Sequence, residues 1–160
     1  MDALAISRVV AVTSVGLLAG IFFGHRAGAQ YSLPVLNASS FVQLQQIIHK
    51  RYVRFMPLLV LTALASSVFW LAIIRSQWPT AEFWLVAISA SAILVIAAAT
   101  RAVNVPINNQ LMTWSVASPP ANLREIWAPW DRVNTLRSIL ASGALLLEAI
   151  ALSLRATGGP

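Results

Sequence analysis

The chain contains no cysteine. Disulfides, thiolate metal sites and cysteine nucleophiles are therefore excluded, and the redox compartment is unreadable. Charge is scarce as well. Charged residues make up 10% of the 160 positions, where a typical soluble domain carries about 25%. Only two histidines are present, His25 and His49, so a three-histidine metal site is impossible. A mixed histidine–carboxylate site lacks nearby acids, and no metal ligands are expected. The net charge of +6 comes from scattered arginines at the ends of apolar segments. No basic run or binding motif accompanies them, so no nucleic-acid partner is expected.

What the chain has in quantity is apolar surface. Hydrophobic residues account for 58% of the sequence. With so few charges to form a polar shell, lipid is the natural cover. A helix needs about 20 apolar residues to cross a hydrocarbon core. Four segments meet that need, near 3–24, 55–74, 83–104 and 135–154. They lack the alternation that barrel strands require. The expected fold is all-α: one domain, an integral membrane four-helix bundle with helical extensions on one membrane face. Membrane lipids are then unavoidable partners. Arg8 before the apolar run from Val9 has the layout of a secretory signal. His25 and Arg26 precede Ala27-Gly28-Ala29, however, and three more apolar runs follow, so a retained helix is expected.

The connections are unequal. Arg75 to Glu82 is short, contains Pro79, and makes the second and third spans antiparallel neighbours. His25–Arg54 and Arg101–Arg137 are long and fall on one side of the membrane. Phe41–Arg54 reads as a helix running into the second span, with a kink near Pro57. Arg101–Thr113 reads as an extension of the third span, interrupted at Pro106. Ser118-Pro119-Pro120 marks a turn, with Asn122 as a candidate N-cap for a helix from Leu123. Pro129 is expected to bend that helix. Gly158-Gly159-Pro160 reads as a frayed tail. Eight of the basic residues sit in the long links and three (Arg8, Arg75 and Arg155) on the other face. The positive-inside rule then puts the long links in the cytoplasm.

Helical spacing brings polar groups to that end. Arg101, Asn104 and Asn108 share a face, as do Trp127, Trp130, Asn134 and Arg137. His49 shares one with Gln45, Gln46 and Tyr52, and His25 and Arg26 end the first span nearby. Arginine and asparagine donors suit an anionic oxygen. A histidine suits proton abstraction, and tryptophans offer flat walls to an aromatic ligand. Each residue also has a plainer use. Terminal arginines snorkel to headgroups, Trp70, Trp78 and Trp84 suit an aromatic belt, and Asn104 and Asn108 suit backbone groups freed by Pro106. Glu148 is costly inside a span unless paired or protonated. It lies away from the polar cluster and reads as a near-interface carboxylate outside the site. His25 and His49 could also ligate a b-type haem across a bundle. Gly16, Gly20 and Gly24 form a small-residue stripe that suits packing inside the bundle, or else a homo-oligomer.

The run Arg101-Ala-Val-Asn104-Val-Pro106-Ile-Asn108, followed by Trp127-x-x-Trp130-x-x-x-Asn134-x-x-Arg137, resembles the anthrone-oxygenase-like family. The amphipathic stretch Phe41–Pro57 fits too, and the resemblance covers nearly the whole chain. These are small four-helix membrane proteins, mostly of unknown function. Some fungal members are linked to oxidising anthrones to anthraquinones. The resemblance implies chemistry that can run without a metal or flavin, because a deprotonated anthrone can itself reduce dioxygen. It implies His49 or His25 as the base and Arg101, Asn104, Asn108 and Arg137 as anion-stabilising donors. Fungal members look to carry a histidine where this chain has Asn134, which cannot act as a base. The leading expectation is thus a membrane-embedded oxygenase or oxidase for a lipophilic phenolic or polycyclic substrate. The substrate would lie against Tyr52, Asn104, Asn108, Trp127, Trp130 and Asn134. The alternatives are a non-catalytic module binding a lipid, a quinone or a partner protein, and a haem protein.

Overall fold

The computed structural model describes residues 2–156, the last two by their backbone alone. The expected tail at 158–160 lies outside the described residues. Helix α1 spans Ala3–Gly24, α2 Ala38–Ile73, α3 Ala81–Ala99, α4 Val105–Leu111 and α5 Leu123–Ala156. Each start has a local cause. Asp2, Asn37 and Thr80 accept hydrogen bonds from the first-turn amides of Ala5, Ser40 and Phe83. The Asn122 carbonyl accepts from the amides of Glu125 and Ile126, which is the bonding expected at the head of α5.

Two connections are shorter than the sequence suggests. Beyond Gly24 the chain stays helical through a wide turn at His25–Ala29, an α-helical turn at Gln30–Ser32 and a tight 3-10 turn at Leu33–Val35. Only Leu36 and Asn37 separate it from α2. Beyond α3 a second wide turn, Thr100–Asn104, leads straight into α4. The helix is not interrupted at Pro106. The irregularity falls just before it.

Four of these helical stretches are long and apolar enough to cross a membrane. They form an all-α bundle suited to a multi-pass integral membrane protein. α1 packs on α2 and α5, and α3 packs on the same two helices. Val15, Leu18, Phe22, Ala63, Ile93, Ile96, Ala141 and Ala144 meet at the centre. Leu17, Leu58, Leu61, Leu94, Ile139 and Leu146 face outward and are largely exposed. Helices apolar on all sides belong in lipid. There the hydrophobic effect does not drive helix against helix, and close contact between small residues does. The buried alanines and serines of the core serve that contact. Of the glycine stripe only Gly16 faces inward, where an added Cβ would sit 3.5 Å from Leu145. Gly20 and Gly24 look into open space, so the stripe as a whole does not pack within the bundle.

Two sequence expectations are corrected here. Glu148 is fully buried, and the hydroxyls of Ser67 on α2 and Ser89 on α3 donate to its Oε1 at 2.6 and 2.9 Å. It ties three helices together and does not reach for headgroups. Trp70 is also fully buried and is no belt residue. Its indole N–H donates to Glu82 at 3.0 Å, Glu82 pairs with Arg8, and the Arg8 guanidinium lies over the Trp70 ring. Trp78 and Trp84, 62% and 54% exposed, suit the belt.

At the other end the extensions form a second core. Leu33, Phe41, Val42, Leu111, Trp114, Leu123, Trp127 and Trp130 pack there. Gln46 fastens it by donating from Nε2 to the carbonyls of Leu111 and Trp114, at 3.0 and 2.9 Å. Leu111 ends α4, and its carbonyl also accepts from the Trp114 amide at 3.2 Å. The result is a lid of packed aromatic side chains over one end of the spanning bundle.

Candidate functional site

Both wide turns border the site. Such turns are rare and occur often at functional positions. Thr100–Asn104 has a cause in the sequence, since Pro106 cannot donate to the carbonyl of Ala102. The wider turn also changes the angular step per residue. Arg101 and Asn108 therefore line the cavity described below, while Asn104, expected on the same face, turns elsewhere. Its Nδ2 donates to the Trp130 carbonyl at 3.2 Å. Asn108 accepts from the Trp130 indole N–H at 2.9 Å. The two asparagines hold Trp130 from opposite ends.

Between the four spanning helices, under the aromatic lid, lies a cavity of about 370 Å³. That falls within the usual range of small-molecule sites. Its walls are mostly apolar and include Ile21, Phe22, Ile48, Val53, Met56, Pro57, Val60, Ala97 and Val105. Pro57 leaves the Val53 carbonyl without its helical partner, and both residues line the cavity. Of the residues expected in the site, His25, His49, Tyr52, Arg101, Asn108, Trp130, Asn134 and Arg137 line it. Trp127 does not. It stacks on Trp130 with ring centroids 4.4 Å apart and forms the layer behind.

The polar groups form a chain. Arg137 Nη1 donates to the Thr100 hydroxyl at 3.1 Å and Nη2 to Asn134 Oδ1 at 2.7 Å. Asn134 Nδ2 lies 3.1 Å from His25 Nδ1. The Arg137 guanidinium sits over the rings of Phe22 and Trp130, at 4.6 and 5.5 Å from their centroids. Arg137 is 8% exposed, and no carboxylate pairs with it among the described residues. Asp131, nearly two turns back on α5, accepts instead from Gln30. No acidic residue lines the cavity. Three buried atoms of lining residues have no partner among the described residues: Arg137 Nε, His25 Nε2 and Gln45 Nε2.

Burying an unpaired charge is expensive unless something neutralises it. Neutral acceptors and aromatic faces solvate Arg137 in part, and the positive charge stays uncompensated. An apolar chamber with one such charge is complementary to a flat, lipophilic molecule bearing an electron-rich oxygen. His25 and His49, the pair that a b-type haem would need, border the same chamber. Thr100, Gln45 and Phe22 also line the cavity, and of these Thr100 and Phe22 were missed from sequence. Thr100 and Phe22 look like ordinary span residues, and only the uncapped Arg137 gives them meaning. Gln45 lies where its spacing from His49 put it, on the same face of α2.

Fold and site together define a class: polytopic four-helix membrane proteins with a cavity between the helices at one end. The family described as Anthrone oxygenase matches residues 44–147, well over half of the chain, and the protein belongs to that family. No curated protein and no solved structure matches. The matched segment includes His49, Arg101, Asn134 and Arg137. It begins after α1, so Phe22 and His25 come from outside it.

Proposed function

We propose that the protein is a membrane-embedded oxidase or oxygenase for a lipophilic phenolic or polycyclic substrate of the anthrone type. The observation that carries this reading is the buried Arg137, without a carboxylate partner, at the wall of an apolar cavity. Family membership supports the reaction class.

In the reaction a histidine removes a proton from the activated ring methylene. The electron pair left behind delocalises onto the ring oxygen, where Arg137 stabilises it. Dioxygen accepts an electron from this carbanion and recombines with the resulting radical, forming a carbon–oxygen bond. The peroxide then takes a proton, the remaining ring hydrogen leaves, and the O–O bond breaks with loss of water. The balance is one methylene plus one dioxygen to one carbonyl plus one water. The cavity contributes orientation and keeps bulk water from the carbanion. A substrate that partitions into lipid reaches such a site without crossing an aqueous phase.

The test is oxygen uptake by the purified protein with anthrone and related phenols. Substrate-dependent uptake with carbonyl product supports the reading. Binding without turnover would replace it with a non-catalytic module for a quinone or lipid, and a Soret band in the visible spectrum would replace it with a haem protein.

A further inference from the structure

The two cavity histidines have different surroundings, and the difference follows from one amide. A guanidinium only donates hydrogen bonds. Asn134 must therefore turn its Oδ1 toward Arg137, which holds it at 2.7 Å. The Nδ2 group, also only a donor, then faces His25 Nδ1 at 3.1 Å. Two donors cannot face each other, so His25 Nδ1 accepts and its ring proton sits on Nε2. That nitrogen is buried and has no partner among the described residues, on a side chain 9% exposed that lines the cavity. His49 differs. It is half-buried on the cavity wall and makes no hydrogen bond with the described residues, so its lone pair is uncommitted.

We infer that Asn134 is a positioning residue that fixes His25 as a hydrogen-bond donor to the substrate oxygen and leaves His49 as the base. This deepens the proposed function and rests on it. A neutral imidazole N–H at a developing oxyanion is an established way to polarise a carbonyl. Arg137, Asn134 and His25 thus act as one oriented relay. Each passes its donor direction to the next, and the last presents an N–H to the cavity. The asparagine gains a purpose that it could not have as a base: its amide accepts from an arginine through Oδ1 and donates to an imidazole through Nδ2.

The test has two arms. The first needs no turnover. Nitrogen NMR of the full-length, histidine-labelled protein in detergent reads which ring nitrogen carries the proton. His25 should be protonated on Nε2 in the parent protein. Asn134→Asp replaces the amide with a group that only accepts, keeps a partner for Arg137, and should move the His25 proton to Nδ1. A parent His25 protonated on Nδ1 overturns the inference, as does a tautomer indifferent to Asn134→Asp.

The second arm separates donor from base. Glutamine retains an N–H donor and cannot act as a base. His25→Gln should cost less than about tenfold in kcat/KM, and His25→Leu about a hundredfold. His49→Gln should cost about 10²- to 10⁴-fold. It should also remove the acid limb of the pH–rate profile, which His25→Gln retains. Equal losses in His25→Gln and His25→Leu would make His25 the base and overturn the assignment. Should no phenol be oxidised at all, the functional reading fails separately. The NMR result and the affinity for an anthraquinone probe, retained in His25→Gln and weakened about tenfold in His25→Leu, then judge the relay by themselves.

Discussion

Two arginines are drawn into this bundle, one at each end, and they are treated differently. Arg8 lies over the Trp70 ring and pairs with Glu82. Arg137 lies over Phe22 and Trp130 and pairs with no carboxylate among the described residues. Both are packed against aromatic faces, so the aromatic contact is not what distinguishes them. The carboxylate is. At the Arg8 end the chain places an acid where the charge needs one, and the group is a clasp between α1, α2 and α3. At the Arg137 end it places a hydroxyl, an amide and an apolar chamber. On the proposed function, the charge complement that Arg137 lacks within the described residues comes from the substrate. Natural sites often carry such local instability in exchange for function.

The largest expected effect breaks the comparison at the functional end. Arg137→Met fills similar volume without the charge. Turnover should fall by about 10²- to 10³-fold, the usual cost of removing an oxyanion donor. Thermal stability should hold or rise, because an uncompensated buried charge is gone. Oxygen-uptake kinetics and a melting curve on the same preparation check both halves. Arg8→Met should do the reverse. It removes the cation that pairs with Glu82, which keeps the Trp70 N–H, and because Arg8 is partly exposed the cost should be about 2 kcal/mol, below that of a fully buried pair. Turnover should stay within threefold, and adding Glu82→Gln should restore part of the stability. Glu148→Leu should cost about 1 kcal/mol, since the two serine hydroxyls lose an acceptor. Glu148→Gln should cost less. The smallest effect concerns the glycine stripe. Gly20→Ala should stabilise the helix by about 0.5–1 kcal/mol where the side chain meets nothing. A loss of stability with a smaller particle on size-exclusion chromatography would reveal a homo-oligomer packed through that face.

Much of the architecture was legible from hydropathy and punctuation. Lengths of apolar run against bilayer thickness specify four spans, and the helical character of Phe41–Arg54 and Leu123–Arg137 follows from spacing. The site was legible only in outline. Face arithmetic at about 100° per residue brings Trp130, Asn134 and Arg137 together, because α5 is regular there. The same arithmetic misplaces Asn104, because a wide turn intervenes between Thr100 and Asn104 and a single sequence has no periodic signature of such a turn. Trp70 and Glu148 were misread for another reason. Position along a span indicates depth in the membrane and says nothing about which neighbours face the side chain. Their partners, Glu82, Ser67 and Ser89, come from other helices. Direction of hydrogen bonding is legible in neither spacing nor composition, and it emerges only when Arg137 is seen to hold the Asn134 carbonyl.

Cytoplasmic placement of the cavity end rests on the arginine count. One of those arginines, Arg137, is buried and lines the cavity. Accessibility of a single cysteine introduced at Ser118 to a membrane-impermeant reagent in intact cells would fix the orientation.

The most direct test of the central claim is ligand affinity as a function of pH for a hydroxylated anthraquinone whose phenol ionises within the stable range of the protein. If Arg137 provides the charge complement, affinity should rise about tenfold or more as the ligand becomes a phenolate, and Arg137→Met should abolish that rise. Equal pH dependence in the parent protein and in Arg137→Met would contradict the account.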